Sequence, residues 1–329
     1  MKMLSKATLV FTGAIMFAAG ACFTLPARAQ DAAPPAGDAL GTYAPGTAGP
    51  LHKLPSAYSA QELQDLGEGI VFPYDLLDAV LGKCVDINKG YVNYLLIKGD
   101  PNLDLFVHCV AVADTTDFPA FPRPADPNVP NSKPGVDRTA ELTFWINAYN
   151  GLFLKVVSDA YPVSSIKSIA GLDTDRTRIV GGKAYSFAQL RDIIAAIDPR
   201  GLFALPNGTL DGPMELDHAF RYAHLNFDLD DEVLAYINNN KHVSAPDRDN
   251  NVVQVSPWLA AVDADFKPSN SHKRWDGIRV LLGKYTDAGN DHHNDFGGDR
   301  AARDYFLTNE YDVSFLPANT AMNDSASNQ

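Results

Sequence analysis

The sequence is poor in cysteine and in basic residues, and it lacks the common catalytic signatures. Of its 329 residues only 3 are cysteines, and 27 Lys and Arg stand against 40 Asp and Glu, which gives a formal charge of −13. A chain this acidic repels phosphate backbones and anionic lipid surfaces, so we expect neither nucleic acid nor a membrane as partner. The absence of a glycine-rich phosphate loop, a Gly-x-Ser-x-Gly elbow and a Cys-x-x-Cys pair argues against nucleotide hydrolysis, serine esterase chemistry and thioredoxin-like redox chemistry. We predict no cofactor.

Long apolar runs are also scarce. Only one run, at residues 7–25, approaches the length of a membrane span. Lys2 and Lys6 precede it, and the small-x-small pattern of residues 27–29 follows it, which is typical of a bacterial signal peptide. We therefore expect cleavage after Ala29 and a periplasmic or secreted protein, with no membrane contact beyond the signal peptide. Loss of the three basic residues of this segment takes the charge to about −16. An uncleaved anchor and a lipoprotein lipidated at Cys22 are the alternatives.

The rest of the chain predicts one domain between two irregular segments. Residues 30–57 are rich in proline and glycine and predict a flexible leader. Residues 318–329, rich in Asn, Ser and Ala, predict a disordered tail. The intervening residues 58–317 are enough for one domain with a large core.

The clearest element of this domain is a long helix at residues 139–160. Its apolar side chains recur at i, i+3, i+4 and i+7 and continue onto a second side, which predicts a buried, central helix. Gly181 and Gly182 predict the turn of a hairpin, and Ser186 with Gln189 predicts a capping box that opens a helix over 187–197. The other predicted elements are strands at 201–205 and 252–255 and helices at 230–239, 275–284 and 299–308. The expected fold class is α+β, a helix-rich single domain around a central buried helix with a small, mostly antiparallel sheet.

Removal of Cys22 with the signal peptide leaves Cys84 and Cys109. In an oxidising compartment this pair can form a disulfide. The alternatives are two buried thiols on neighbouring helices or a catalytic thiol, although neither cysteine lies in a nucleophile motif.

Two motifs resemble the family called domain of unknown function 547. They are FWINAYN at 144–150 and YPVSSIKSI at 161–169, followed by the Gly-Gly-Lys hairpin and by FAL at 203–205. The resemblance extends over residues 72–266. It implies a fold neighbourhood but no reaction.

The sequence departs from the pattern of this family at its reactive residues. Family members usually carry a Glu-His pair where this chain has Arg191 and Asp192, a cysteine at the position of Asn207, and Cys-Pro where residues 212–213 are Gly-Pro. If the family performs thiol or acyl chemistry, this chain lacks both nucleophile and base. The resemblance therefore implies a binding domain or pseudo-enzyme for a small or cell-envelope ligand.

We predict a ligand pocket lined by six side chains, namely Asn147, Tyr149, Asn150, Asp192, Arg200 and Asn207. The alternative for the two helix asparagines is that they bind loop backbone, because buried amides must be hydrogen-bonded. The alternative for Arg200 is an ion pair with Asp198 or Asp192. A rival function is a hydrolase or transferase that uses carboxylates, Asp192 with Asp211 or Glu215, as general acid and base.

A third hypothesis is a structural module stabilised by a metal bound in the loop at 287–299. Asp291, His293 and Asp295 alternate there as ligands in a loop would, but the spacing does not fit an EF-hand or a zinc protease. A solvated loop is the simpler interpretation, and we predict no resident metal. The oligomeric state stays open.

Overall fold

The computed structural model describes residues 72–116, 118, 121–123, 135–286 and 300–325. The predicted signal peptide, the leader, the metal loop and the last four residues of the predicted tail lie outside these ranges. The described residues are helix-rich, with short strands between the helices, which confirms the expected α+β class.

The α-helices, in chain order, are α1 (Tyr74–Cys84), α2 (Pro101–Val112), α3 (Thr139–Ala160), α4 (Phe187–Ile197), α5 (Leu225–Ile237), α6 (Trp258–Phe266), α7 (Asp276–Tyr285) and α8 (Arg300–Thr308). Short 3-10 helices cover Ile166–Ser168 and Pro199–Ala204.

The strands, in chain order, are β1 (Val85–Asp86), β2 (Tyr91–Val92), β3 (Phe121–Arg123), β4 (Gly135–Asp137), β5 (Arg178–Val180), β6 (Lys183–Tyr185), β7 (Val252–Val255) and β8 (Asp312–Phe315). In the described part of the chain they form two-stranded ribbons and not one sheet. Consecutive strands pair antiparallel in β1–β2, β3–β4 and β5–β6, while β7 and β8 pair parallel.

Helix α3 is the centre of the core, as its sequence predicts. Sixteen of its residues are buried, and they lie on all sides of the helix. The elements that contact it include α1, α2, α4 and the 3-10 helix at Pro199–Ala204. Gly151 allows the closest approach, because a Cβ there would lie 2.4 Å from a ring carbon of Phe106 on α2. A helix that is apolar on several sides is stable in water only when neighbouring elements cover each of those sides.

The predicted hairpin and capping box are both present. Gly181 and Gly182 have φ values of 57° and 74°, which a tight turn requires and glycine adopts without strain. Ser186 accepts a hydrogen bond from the backbone of Gln189, whose side chain accepts one from the backbone of Ser186. Helix α4 therefore begins where local sequence places it.

Two predicted elements are wrong. Residues 201–205 form no strand, because Asp198 and Pro199 start a 3-10 helix in which the Asp198 side chain accepts from the backbone of Arg200. Helix α5 begins at Leu225, five residues before the predicted helix start at Asp230. The Asp230 carboxylate instead accepts from the Tyr285 hydroxyl at 2.9 Å, so a tertiary contact replaces the expected local one.

The predicted disordered tail is also wrong for its described part. Met322, Asn323 and Asp324 are buried, and residues 321–325 form backbone hydrogen bonds with β2 and with Gly208 and Leu210. We call residues 316–325 the C-terminal strap. Its polar composition resembles a tail, but its asparagine and aspartate side chains bind tyrosine hydroxyls of the domain.

We expect Gly277→Ala to lower the free energy of unfolding by about 3 kcal/mol, as overpacking of a rigid contact does. A Cβ at this second residue of α7 would lie 1.9 Å from the Asp263 carbonyl oxygen on α6. Urea unfolding measures the change. Gly82→Ala in α1 is the matched control, because its Cβ would lie 3.7 Å from the nearest atom and alanine favours a helix by up to about 1 kcal/mol. Equal stability of the two variants would contradict the packing of α6 on α7.

Candidate functional site

The structure does not bring the six predicted pocket residues together. Asn147, fully buried on α3, donates from Nδ2 to the Phe220 carbonyl and accepts on Oδ1 from the Phe220 N–H, both at 2.9 Å. This two-point contact fixes the loop before α5 to the central helix. Asn147 therefore binds backbone, which is the alternative that burial favours.

Asn150 and Tyr149 also lie in the core. The Asn150 amide donates to the Ala204 carbonyl at 3.2 Å, and its Oδ1 is buried without a hydrogen-bond partner among the described residues. Tyr149 packs edge-on against Phe187, with 4.9 Å between ring centroids. Burial raises the pKa of its hydroxyl, although Arg191 beside it acts in the opposite direction.

The other three predicted residues lie elsewhere. Asp192 is exposed on α4, and Asn207 closes a turn by accepting from the backbone N–H of Thr209 at 2.9 Å. Arg200 forms salt bridges with Asp198 at 2.6 Å and with Asp230 at 3.0 Å, which joins the 3-10 helix to α5. The ion pair with Asp198, one of the two alternatives for Arg200, is therefore the one that forms.

A cavity of about 490 Å³ lies in a different part of the described structure. Its walls come from the turn between β1 and β2, the loop at 209–216, the last two turns of α5 with the residues that follow it, and the C-terminal strap. None of the six predicted residues lines it. Its volume is in the range of sites for small ligands and cofactors.

Three aromatic rings that line this cavity pack against one another. Phe203 packs edge-on against Tyr236, with ring centroids 5.4 Å apart. The His242 ring stacks on Tyr236, with a centroid distance of 4.1 Å and an interplanar angle of 1°. The Tyr236 hydroxyl donates to the Asp211 carbonyl at 2.7 Å, which fixes the ring. Ile87 and Met214, each more than a third exposed, also line the cavity and extend this apolar surface to solvent.

His242 is neutral in this environment. Burial lowers its pKa to about 4; the charge of Asp211 raises this pKa by a smaller amount, and the charge of Lys241 lowers it. Its Nδ1 is buried with no hydrogen-bond partner in the described structure. A buried acceptor without a hydrogen-bond partner costs less free energy than a buried N–H without one. We therefore place the imidazole proton of His242 on Nε2.

Glu232 on α5 is the second titratable group of interest in the cavity. Burial, reinforced by the negative charges of Asp231 and Asp228, raises its pKa to about 8. At neutral pH its carboxyl is therefore protonated and able to donate a hydrogen bond. A neutral imidazole and a protonated carboxyl in one cavity are groups that can orient a ligand or exchange a proton with it.

The strap contributes an amide donor. Asn323 is 2% exposed and lines the cavity, and its Oδ1 accepts from the Tyr94 hydroxyl at 2.8 Å. Its Nδ2 donates to no residue in the described ranges. Asn239, which also lines the cavity, is similar, because its Oδ1 accepts from the Lys241 backbone and its Nδ2 has no described partner.

Glu215 is buried beside the cavity and does not line it, although its chain neighbours Met214 and Leu216 do. It is 2% exposed, and neither carboxyl oxygen has a hydrogen-bond partner within the described residues. Burial, with a smaller contribution from Glu232, raises its pKa well above the ordinary value. Since Asp192 is exposed and the Asp211 carboxylate accepts from the Thr209 hydroxyl at 2.6 Å, the predicted carboxylate pairs do not share an open cleft.

The two cysteines are free, buried thiols on the neighbouring helices α1 and α2. Burial raises the pKa of Cys109 to about 11, and burial with the nearby Glu215 carboxyl raises that of Cys84 further. Neither thiol is therefore a ready nucleophile at neutral pH. The alternative of unpaired thiols describes this structure, and the disulfide does not.

The predicted metal ligands Asp291, His293 and Asp295 lie outside the described residues. In the ranges that are described, no three His, Cys, Asp or Glu side chains cluster as a metal site requires. Within the same ranges, no helix has both the length and the apolar character to cross a membrane.

Sequence reasoning missed the cavity because its walls come from four segments far apart in the chain. Tyr236 and His242 are six residues apart and belong to no catalytic or ligand motif. The one sequence signal near them was the departure from the family pattern at residues 212–213, and Gly212 and Pro213 do line the cavity.

The fold and the cavity define a class: a helix-rich α+β protein with a partly open cavity of the size of a small ligand. The chain has no match among protein-family models, curated proteins or solved structures. Membership of the domain of unknown function 547 family therefore stays a prediction from its motifs.

Proposed function

We propose that the protein is an exported binding domain that holds a small molecule in the cavity between α5 and the C-terminal strap. The observation that supports this proposal is the combination of apolar lining side chains with hydrogen-bonding groups that have no partner among the described residues. Buried polar groups are normally paired, and an unpaired one costs roughly 1–3 kcal/mol. A ligand that hydrogen-bonds to the buried His242 Nδ1 recovers part of this cost, and the Asn323 and Asn239 amides offer it two further donors.

The export part of the proposal rests on the sequence alone. Its basis is the charge-free run at 7–25, the lysines before it and the Ala-Arg-Ala pattern after it. A periplasmic or extracellular location makes cell-envelope fragments and other small solutes the first ligands to test.

A thermal-shift screen of small solutes and cell-wall fragments tests the binding function, with Ala235→Trp as the blocking variant. Ala235 on α5 lines the cavity, so an indole there fills the space of a ligand without removing a hydrogen bond. A ligand at 100 times its Kd stabilises by about 2.7 kcal/mol, which raises the Tm by roughly 5–10 °C in a domain of this size. We expect such a shift in the natural protein and none in the variant.

Ala196→Trp is the matched control, because Ala196 is exposed on α4 and lies outside the cavity. It should keep the full shift. A far-UV circular dichroism spectrum verifies that both tryptophan variants are folded. A ligand whose shift persists in Ala235→Trp binds elsewhere and would overturn the proposed site.

A second candidate function is general acid–base catalysis in the same cavity. The observation that favours it is that Glu232, protonated at neutral pH, and neutral His242 line one cavity, as an acid and a base must. Mass spectrometry of each ligand after incubation separates the two functions. An unchanged ligand mass supports binding, whereas a product that disappears with Glu232→Gln supports catalysis.

A further inference from the structure

The side chains of the cavity point to a specific class of ligand, an amphiphile with an apolar body and a carboxylate. We infer that the body packs against Phe203 and Tyr236 and that the carboxylate binds the lysines and amides of the wall. The inference rests on the proposed function and adds the chemistry of the ligand to it.

The apolar half of the argument comes from the ring cluster and the cavity mouth. Phe203, Tyr236 and the neutral His242 ring present aromatic surface inside, while Ile87 and Met214 line the cavity close to solvent. Exposed apolar side chains around a concave surface are typical of ligand sites, because an apolar ligand removes both surfaces from water.

The polar half comes from an excess of hydrogen-bond donors. Asn323 and Asn239 each have the amide oxygen occupied by a protein donor and the amide nitrogen without a described partner. Glu232 is protonated at neutral pH, so it too can donate. Groups of this kind are complementary to a ligand that only accepts hydrogen bonds, and a carboxylate does so with both oxygens.

The lysines of the wall select an anion from among the acceptors. Lys89 and Lys241 line the cavity together with the carboxyl side chains of Asp231 and Glu232. Lys89 has a long salt bridge of 3.4 Å with partly exposed Asp86, and Lys241 has none with a described residue. Lys241 can therefore form an ion pair with a ligand carboxylate, which neither a neutral nor a cationic head group can do.

Isothermal titration calorimetry with decanoate, 1-decanol and decylammonium at pH 7 tests the inference, with both ions below their micelle concentrations and decanol below its solubility limit. The three probes share one apolar chain and differ in the charge of the head group. We expect decanoate to bind at least tenfold more tightly than decanol, and decylammonium to bind most weakly. Lys241→Met should remove most of the advantage of decanoate and change decanol affinity by less than twofold.

Lys167→Met is the control, because Lys167 is exposed and lies outside the cavity. It should leave all three affinities unchanged. If decanol or decylammonium binds as tightly as decanoate, the inference that the ligand carries a carboxylate is wrong. Loss of that binding in Ala235→Trp would still support the proposed function. Binding of decanoate that survives Ala235→Trp would overturn the inference and place the amphiphile outside the cavity.

Discussion

Replacing Asn147 with alanine is expected to lower the free energy of unfolding by about 2–6 kcal/mol. The Asn147 side chain satisfies both the N–H and the carbonyl of Phe220, which is buried together with it. Alanine leaves two buried backbone groups without partners, and each costs roughly 1–3 kcal/mol. Urea unfolding at pH 7 measures the loss.

Asn150→Ala is the matched control on the same helix face. It removes one hydrogen bond of 3.2 Å from an amide whose oxygen already has no described partner, so we expect a loss of about 1 kcal/mol. If instead Asn147→Ala unfolds like the natural protein and loses only ligand binding, Asn147 belongs to a binding site after all, and the interpretation of the structure is wrong.

Glu215→Gln is expected to stabilise the protein, by an amount that grows with pH. Burial raises the native pKa of this carboxyl, so the folded chain retains a proton that the unfolded chain releases above about pH 4.3. Between these two pKa values the native state binds more protons, so rising pH lowers the free energy of unfolding by up to about 1.4 kcal/mol per unit. Glutamine keeps the shape of the neutral acid and has no such penalty.

Urea unfolding of both proteins from pH 5 to pH 8 checks this difference. The gap between the two stability curves should be smallest at pH 5 and widen as pH rises. Glu310→Gln serves as control, since the Glu310 side chain is 94% exposed and its replacement should leave the pH dependence nearly unchanged. Parallel curves for Glu215→Gln and the natural protein would show that Glu215 is ionised in the folded state, with a partner that stabilises its charge.

Several elements could be predicted from the sequence because local interactions decide them. The apolar pattern of 139–160 gives α3 with the same bounds, and the glycine pair and the Ser186–Gln189 capping box give the hairpin and the start of α4. In each case the residues that determine the element lie within a few positions of one another.

Other elements could not be predicted, because distant partners decide them. Asp230 has the chemistry of a helix cap but binds Tyr285 and Arg200, and α5 extends past it toward its N-terminus. The strap at 316–325 has the composition of a tail but is held by β2 and by the loop at 208–210. Composition alone contains no information about such partners.

The predicted site shows the same division. Asn147 and Asn150 are polar residues on a buried helix, and the sequence restricts them to two roles, ligand binding or backbone binding. The choice of Phe220 and Ala204 as their partners depends on how two loops pack on α3. The cavity itself is assembled from segments more than two hundred residues apart, so no local pattern marks it.

By itself, the sequence determined the fold class, the central helix, the acidic charge and the scarcity of cysteine and basic residues. Those properties follow from composition and from periodicity over a few turns of chain. Only the tertiary structure decided that the two cysteines stay unpaired, that the predicted pocket residues separate, and that a cavity forms between α5 and the strap. Burial and hydrogen-bond pairing are properties of neighbours in space, and for these groups the neighbours are distant in sequence.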